Sequence, residues 1–174
     1  MIEIMKRYGC CPESIAWAKD NNIATVDEAW LRCPRADWLL WGILQVRGSL
    51  STREVCAYKY KLLELVSEFL HNCYKPMVAE TKRAAEGELV RFSWVDIPPV
   101  KATVAQRYAE ELVFMNPLIF GASSLRLASM ANKVTLCFAC AGKPLADMVI
   151  PDLIRSLFPD TLTHFRRTYA NATY

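Results

Sequence analysis

The sequence predicts an all-α protein, one globular domain of about seven or eight helices with an irregular central loop. Three observations carry that expectation. Apolar residues recur mostly at steps of three or four along much of the chain. Helix-start signals of the Ser/Thr-x-x-Glu kind stand before two of those runs. Only Leu89–Val95 has the composition of a strand, with imperfect alternation, and a strand needs a partner. That stretch, closed by Pro98-Pro99, reads instead as the central loop, packed through Phe92 and Trp94.

The elements follow in order. Pro12 sits where a helix's first residue has no use for an N–H, with Ile15, Trp17 and Ala18 inward and Asn21-Asn22 at the end. Thr25 and Glu28 have capping-box spacing and predict a short helix from Val26 to about Arg32, burying Val26, Ala29 and Trp30. Cys33-Pro34 breaks it, and Asp37 is placed to cap the next helix, Trp38 to about Val46. Ser51 and Glu54 repeat the box and open what reads as the longest helix. Its single stripe runs through Val55, Tyr58, Leu62, Leu65, Val66, Phe69 and Cys73, with Lys59, Lys61, Glu64 and Glu68 away from it. A helix over 76–86 ends at Gly87, another runs from about Lys101 to Met115 before Asn116-Pro117, and a third covers 123–141. Pro151 starts a helix that Pro159 ends, and Thr161 caps a last one through Tyr169. The domain spans 1–170, and the tail 171–174 is expected to fray.

With 53% apolar and 22% charged residues, the chain has the makings of a core and is not a disordered segment. A net charge of +3 is too mild for a nucleic-acid signature on its own, and it disfavours a phosphate-mimicking acidic surface. The stretch Leu112–Leu125 is broken by Asn116, Pro117 and Gly121 and falls short of the roughly 20 apolar residues of a membrane span. Residues 8–19 lack the apolar run of a secretion signal, so a cytoplasmic protein without membrane association is expected. Seven cysteines, an odd number, fit reduced thiols that pack as small apolar groups.

The pattern Cys10/Cys11, Ala16-Trp17, Thr25-x-x-Glu28-Ala29-Trp30-x-x-Cys33-x-x-x-Asp37-Trp38-Leu39-Leu40-Trp41 resembles a family of small bacteriophage and prophage proteins. Some of that family are similar to immunity-type proteins of toxin–antitoxin systems. Leu153-Ile154-Arg155-Ser156-Leu157-Phe158-Pro159 looks like the family's closing segment. The resemblance covers residues 10–41 and 153–159 and does not extend to 87–99. It implies a small protein of the host cytoplasm that binds a host or competing protein stoichiometrically, inhibiting a defence component or a toxin. It brings no catalytic residues.

The residues favour packing over chemistry at most candidate positions. Trp30, Trp38 and Trp41 suit an aromatic recognition surface, but they fall on apolar helical faces and read as core. Cys137-x-x-Cys140 has the spacing of a zinc or redox pair, yet no second pair exists and the chain has only two histidines, so no metal or cofactor is expected. Cys73 lies two residues from His71, a spacing at which side chains on one helix diverge. No G-x-S-x-G, H-E-x-x-H or phosphate loop is present, and no enzymatic activity is expected. The expected protein-binding residues are Arg91, Phe92 and Trp94 in the central loop, where presentation leaves the core closed. The alternative is a nucleic-acid-binding surface built from Lys82, Arg83, Arg155, Arg166 and Arg167, because six basic and three acidic residues follow Gly121.

Overall fold

The computed structural model describes residues 1–90, 102–115, 123–143 and 145–170. Within them the chain forms ten α-helices, two 3-10 turns and no strand: α1 (Ile2–Arg7), α2 (Pro12–Asp20), α3 (Val26–Arg32), α4 (Ala36–Arg47), α5 (Thr52–Leu65), the turns Ser67–Phe69 and Asn72–Tyr74, α6 (Lys75–Glu86), α7 (Val104–Phe114), α8 (Ser124–Cys140), α9 (Val149–Leu157) and α10 (Thr161–Ala170). The fold is all-α and single-domain, with more helices than the sequence signals announced. The expected binding residues Arg91, Phe92 and Trp94, the loop closure at Pro98-Pro99 and the tail 171–174 lie outside the described residues.

Local chemistry sets several helix starts. Thr25 Oγ1 accepts the Glu28 amide at 3.1 Å, and the Glu28 carboxylate accepts the amides of Ala24 and Thr25 in return. Ser51 and Glu54 form the same reciprocal box, and a third joins Thr103 and Gln106 ahead of α7. Each satisfies amides that a helix start leaves without intrahelical partners. Gly87 ends α6 at φ +99°, a left-handed conformation that glycine adopts without a Cβ penalty.

Four sequence expectations need correction. Asp37 does not cap α4, which begins at Ala36. Asp37 lies inside the first turn, and its carboxylate accepts two bonds from the Arg35 guanidinium at 2.9 and 2.6 Å. The helix from Thr52 stops at Leu65, so Phe69 and Cys73 lie in the 3-10 turns, and the 17-residue α8 is the longest described helix. Thr161 is buried inside α10, and its Oγ1 has no hydrogen-bond partner among the described residues. Lys59 is 2% exposed, not on an outer face.

The Lys59 result follows from where α5 sits. It packs against α6, α7, α8 and α9, so two helical rows are covered. One carries Val55, Tyr58 and Leu62, and the other carries Cys56, Lys59 and Leu63. Tyr58 donates its hydroxyl to Leu127 O at 3.3 Å, and Lys59 Nζ donates to Val113 O at 2.6 Å, joining α5 to α8 and α7. One apolar core extends from Trp30 to Phe165. A smaller one, of Met5, Ala18 and Ile23, holds α1 against α2, and Trp17 packs against both. The space between these two cores is the notable feature of the molecule.

Candidate functional site

Between α1 and α2 on one side and α3, α4, α8 and α10 on the other lies a cavity of about 690 Å³. Four of the five tryptophans line it: Trp17, Trp30, Trp38 and Trp41. Phe165 and Tyr169 of α10 complete the aromatic wall. The rings hold one another in place. Trp17 and Trp38 meet at 6.0 Å between centroids, Trp30 and Phe165 at 5.8 Å, and Phe165 stacks on Tyr169 at 5.6 Å. Tyr8 meets Tyr169 edge-on at 4.7 Å. Such offset and tilted pairs suit the aromatic quadrupole and make a rigid surface.

Two features shape the wall. Gly42 of α4 faces Phe165 so closely that a Cβ built there would stand 2.8 Å from the ring's Cζ. Arg155 of α9 donates to Trp30 O at 2.7 Å and to Cys33 O at 2.6 Å, covering carbonyls that α3 leaves open at its end. On the rim, Arg35 lies 4.6 Å over the Trp38 ring while it holds Asp37. Leu125 at the start of α8 also lines the cavity and is 81% exposed.

The lining is mostly apolar and aromatic, with Glu13, Arg35 and Asp37 as its charged side chains. Its described residues include no histidine or lysine. Burial, above all, pushes the thiols of Cys10 and Cys33 up to about 11, which keeps them protonated and apolar. Tyr169 is pushed up to about 12, first by burial, and remains a neutral phenol. The tryptophans read as core from the sequence are therefore divided: Trp30 is buried, whereas Trp38 and Trp41 are half-buried cavity wall. Four tryptophans within residues 17–41 were the signal for this site, and their convergence with α10 was not readable from spacing.

The residues of the nucleic-acid alternative are spread and largely engaged. Lys82 stands 3.9 Å from Glu86, and Arg83 meets Glu88 at 2.6 Å, both near the end of α6. Arg155 serves the carbonyls of α3 and pairs with Asp152. Arg166 pairs with Asp27 at the opposite end of α3. Arg167 is exposed on α10. The basic excess after Gly121 is met by acids from earlier in the chain: Glu68 takes Lys143, Glu111 takes Lys133, and Asp27 takes Arg166.

Two cysteine sites resolve differently. Cys137 is buried and Cys140 exposed on α8, and no group of three potential metal ligands occurs among the described residues. His71 and Cys73, expected to diverge, are brought together. The chain has left α5, His71 caps the turn Asn72–Tyr74, and its Nδ1 lies 3.1 Å from Cys73 Sγ.

The chain matches no protein-family model, and no curated protein or solved structure was found similar to it. No helix among the described residues is long and apolar enough to cross a membrane.

Proposed function

We propose that this protein acts by stoichiometric binding of a second protein, whose apolar side chains enter the aromatic cavity. The observation that carries this reading is the cavity itself, walled by four tryptophans and edged by the exposed Leu125. Its volume falls within the roughly 300–1,000 Å³ of ligand-binding clefts. The exposed Leu125 stands on the rim, where an entering partner would cover it. Tryptophan, tyrosine and arginine, all present here, are the residues that dominate binding energy at protein interfaces. The class of partner, a host or competing protein such as a toxin or defence component, rests on the sequence resemblance over residues 10–41.

The test begins with affinity capture from host lysate, one half nuclease-treated to identify the proteins that co-purify and the other untreated to assay retained nucleic acid across a salt series. Binding is then measured between the two purified proteins by calorimetry and by tryptophan fluorescence. The expected result is a 1:1 complex that changes the fluorescence, and a Leu125→Glu protein that folds normally yet binds at least about tenfold more weakly. Full affinity in Leu125→Glu and in a cavity-filling Ala128→Leu protein overturns the proposed site. Salt-sensitive retention of nucleic acid with no protein partner overturns the protein-binding reading and restores the basic residues of α6, α9 and α10 to first place.

A further inference from the structure

On a different part of the molecule, the turns between α5 and α6 hold a thiol and an imidazole in contact. His71 Nδ1 accepts the Cys73 amide at 3.3 Å and stands 3.1 Å from Cys73 Sγ. His71 is exposed and Cys73 half-buried, so the pair is reachable from solvent. The segment is pinned at both ends by aromatic contacts. Phe69 meets Phe138 of α8 edge-on at 5.3 Å, and Tyr74 meets Phe114 of α7 at 5.9 Å. The charged groups around the turn have partners elsewhere: Glu68 holds Lys143, Glu111 of α7 holds Lys133, and Glu110 of α7 bonds the Tyr74 hydroxyl. Lys75 of α6 follows directly in the chain. His71 is therefore the basic group in direct contact with the Cys73 sulfur.

We infer that Cys73 is a reactive, reversibly modified thiol, activated by His71 and suited to exchange with low-molecular-weight disulfides. An ordinary cysteine is mostly protonated at neutral pH, and an adjacent imidazole raises the thiolate fraction by taking the proton. In the step, the thiol proton passes to His71 Nδ1, which releases the Cys73 amide as it is protonated, and the Cys73 thiolate attacks one sulfur of the disulfide. The old S–S bond breaks as the new one forms, and the departing thiolate takes up a proton. The reaction exchanges one disulfide for another and needs no further oxidant. Its product places a polar adduct on the surface beside α6 and α7, away from the aromatic cavity.

The two exposed cysteines, Cys11 and Cys140, supply internal controls on the native protein. Intact protein is exposed to oxidised glutathione, and separately to iodoacetamide, from pH 5.5 to 8.5, with each site followed by peptide mass spectrometry. Cys73 is expected to react at least about tenfold faster than Cys11 and Cys140 near pH 6.5. His71→Asn keeps a side chain able to cap the turn but removes the base. It should slow Cys73 to the rate of the two controls and leave those controls unchanged, which also reports an intact fold. Equal rates at the three cysteines, or a Cys73 rate indifferent to His71→Asn, overturns the inference. Adduct formation confined to Cys11 or Cys140 does the same.

Discussion

Arg155 donates to the backbone carbonyl of Trp30 at 2.7 Å, so a residue of α9 fixes the end of the helix that carries a cavity wall. The same guanidinium reaches Cys33 O and Asp152, and its side chain is only 12% exposed. A charged donor on neutral carbonyls contributes more than an ordinary hydrogen bond, and removing it leaves both acceptors partly buried without partners. Arg155→Met is expected to destabilise the fold by about 2–3 kcal/mol. Arg155→Lys recovers part of the loss, because an ammonium lacks the planar fork that serves two carbonyls at once. Urea denaturation checks this, with a lower midpoint and an unchanged slope as the expected pattern. An unchanged midpoint in Arg155→Met contradicts it.

Gly42 lets α4 and α10 meet. Alanine there gains about 0.5–1 kcal/mol of helix propensity, but its methyl group falls against the Phe165 ring. Overpacking of that kind costs about 1–3 kcal/mol. Gly42→Ala should therefore destabilise by about 1 kcal/mol, and in a Phe165→Leu background the same change should become neutral or stabilising. A double-mutant cycle by thermal or urea unfolding measures the coupling. Additive effects rule out the contact as the reason for the glycine.

Asp27 and Arg166 form an exposed pair across α3 and α10. Exposed pairs contribute about 0.2–1 kcal/mol and weaken with salt. Asp27→Asn should cost no more than that while releasing an arginine on a helix face already carrying Arg167. If that face served phosphate binding, the substitution would raise retention of nucleic acid at low salt. The protein-binding reading expects no change, measured by absorbance of eluted nucleic acid across a salt series.

The sequence reveals this fold where the deciding interactions are local. The boxes at Thr25/Glu28 and Ser51/Glu54, Pro12 at the start of α2 and Gly87 at the end of α6 are each set within a few residues. Asp37 does not cap for an equally local reason: α4 begins one residue earlier, at Ala36, and Arg35 engages the Asp37 carboxylate. Long-range pairing stays hidden. No spacing rule joins Arg155 to Trp30 or Arg166 to Asp27, and the basic excess of the last third looked open because its acidic partners lie in the first two. The cavity is legible only as an unusual density of tryptophan, since its shape depends on α10 returning to α3 and α4. His71 and Cys73 diverge on one continuous helix, and the two 3-10 turns that replace it bring them together.

Lys59 gives the sharpest pH-dependent expectation, because it is charged in water and almost fully enclosed in the fold. Burial pulls its ammonium down to about 8 from the ordinary 10.5, while Val113 O accepts a hydrogen bond from it. Between these values the unfolded chain holds a proton that the folded chain has released. Stability from this group therefore rises with pH across roughly 8 to 10.5, and the burial cost is present in full below 8. The span corresponds to on the order of 3 kcal/mol. Other groups act oppositely: burial raises the Cys10, Cys33 and Cys137 thiols to about 11, so their contribution falls as pH climbs through 9 to 11. The bare stability curve mixes both signs, and a difference between proteins separates them. Lys59→Met removes the buried ammonium and also leaves Val113 O without that donor. Its stability relative to the parent should be most favourable at pH 7 and decline by on the order of 3 kcal/mol towards pH 10.5. Cys56, whose thiol burial raises and Lys59 lowers, is the neighbouring titration that the substitution disturbs, and a Cys56→Ala background takes it out. Urea midpoints of both proteins in that background, at intervals from pH 7 to 10.5, decide the matter. A difference that stays flat with pH means that the Lys59 ammonium keeps its charge inside the folded protein.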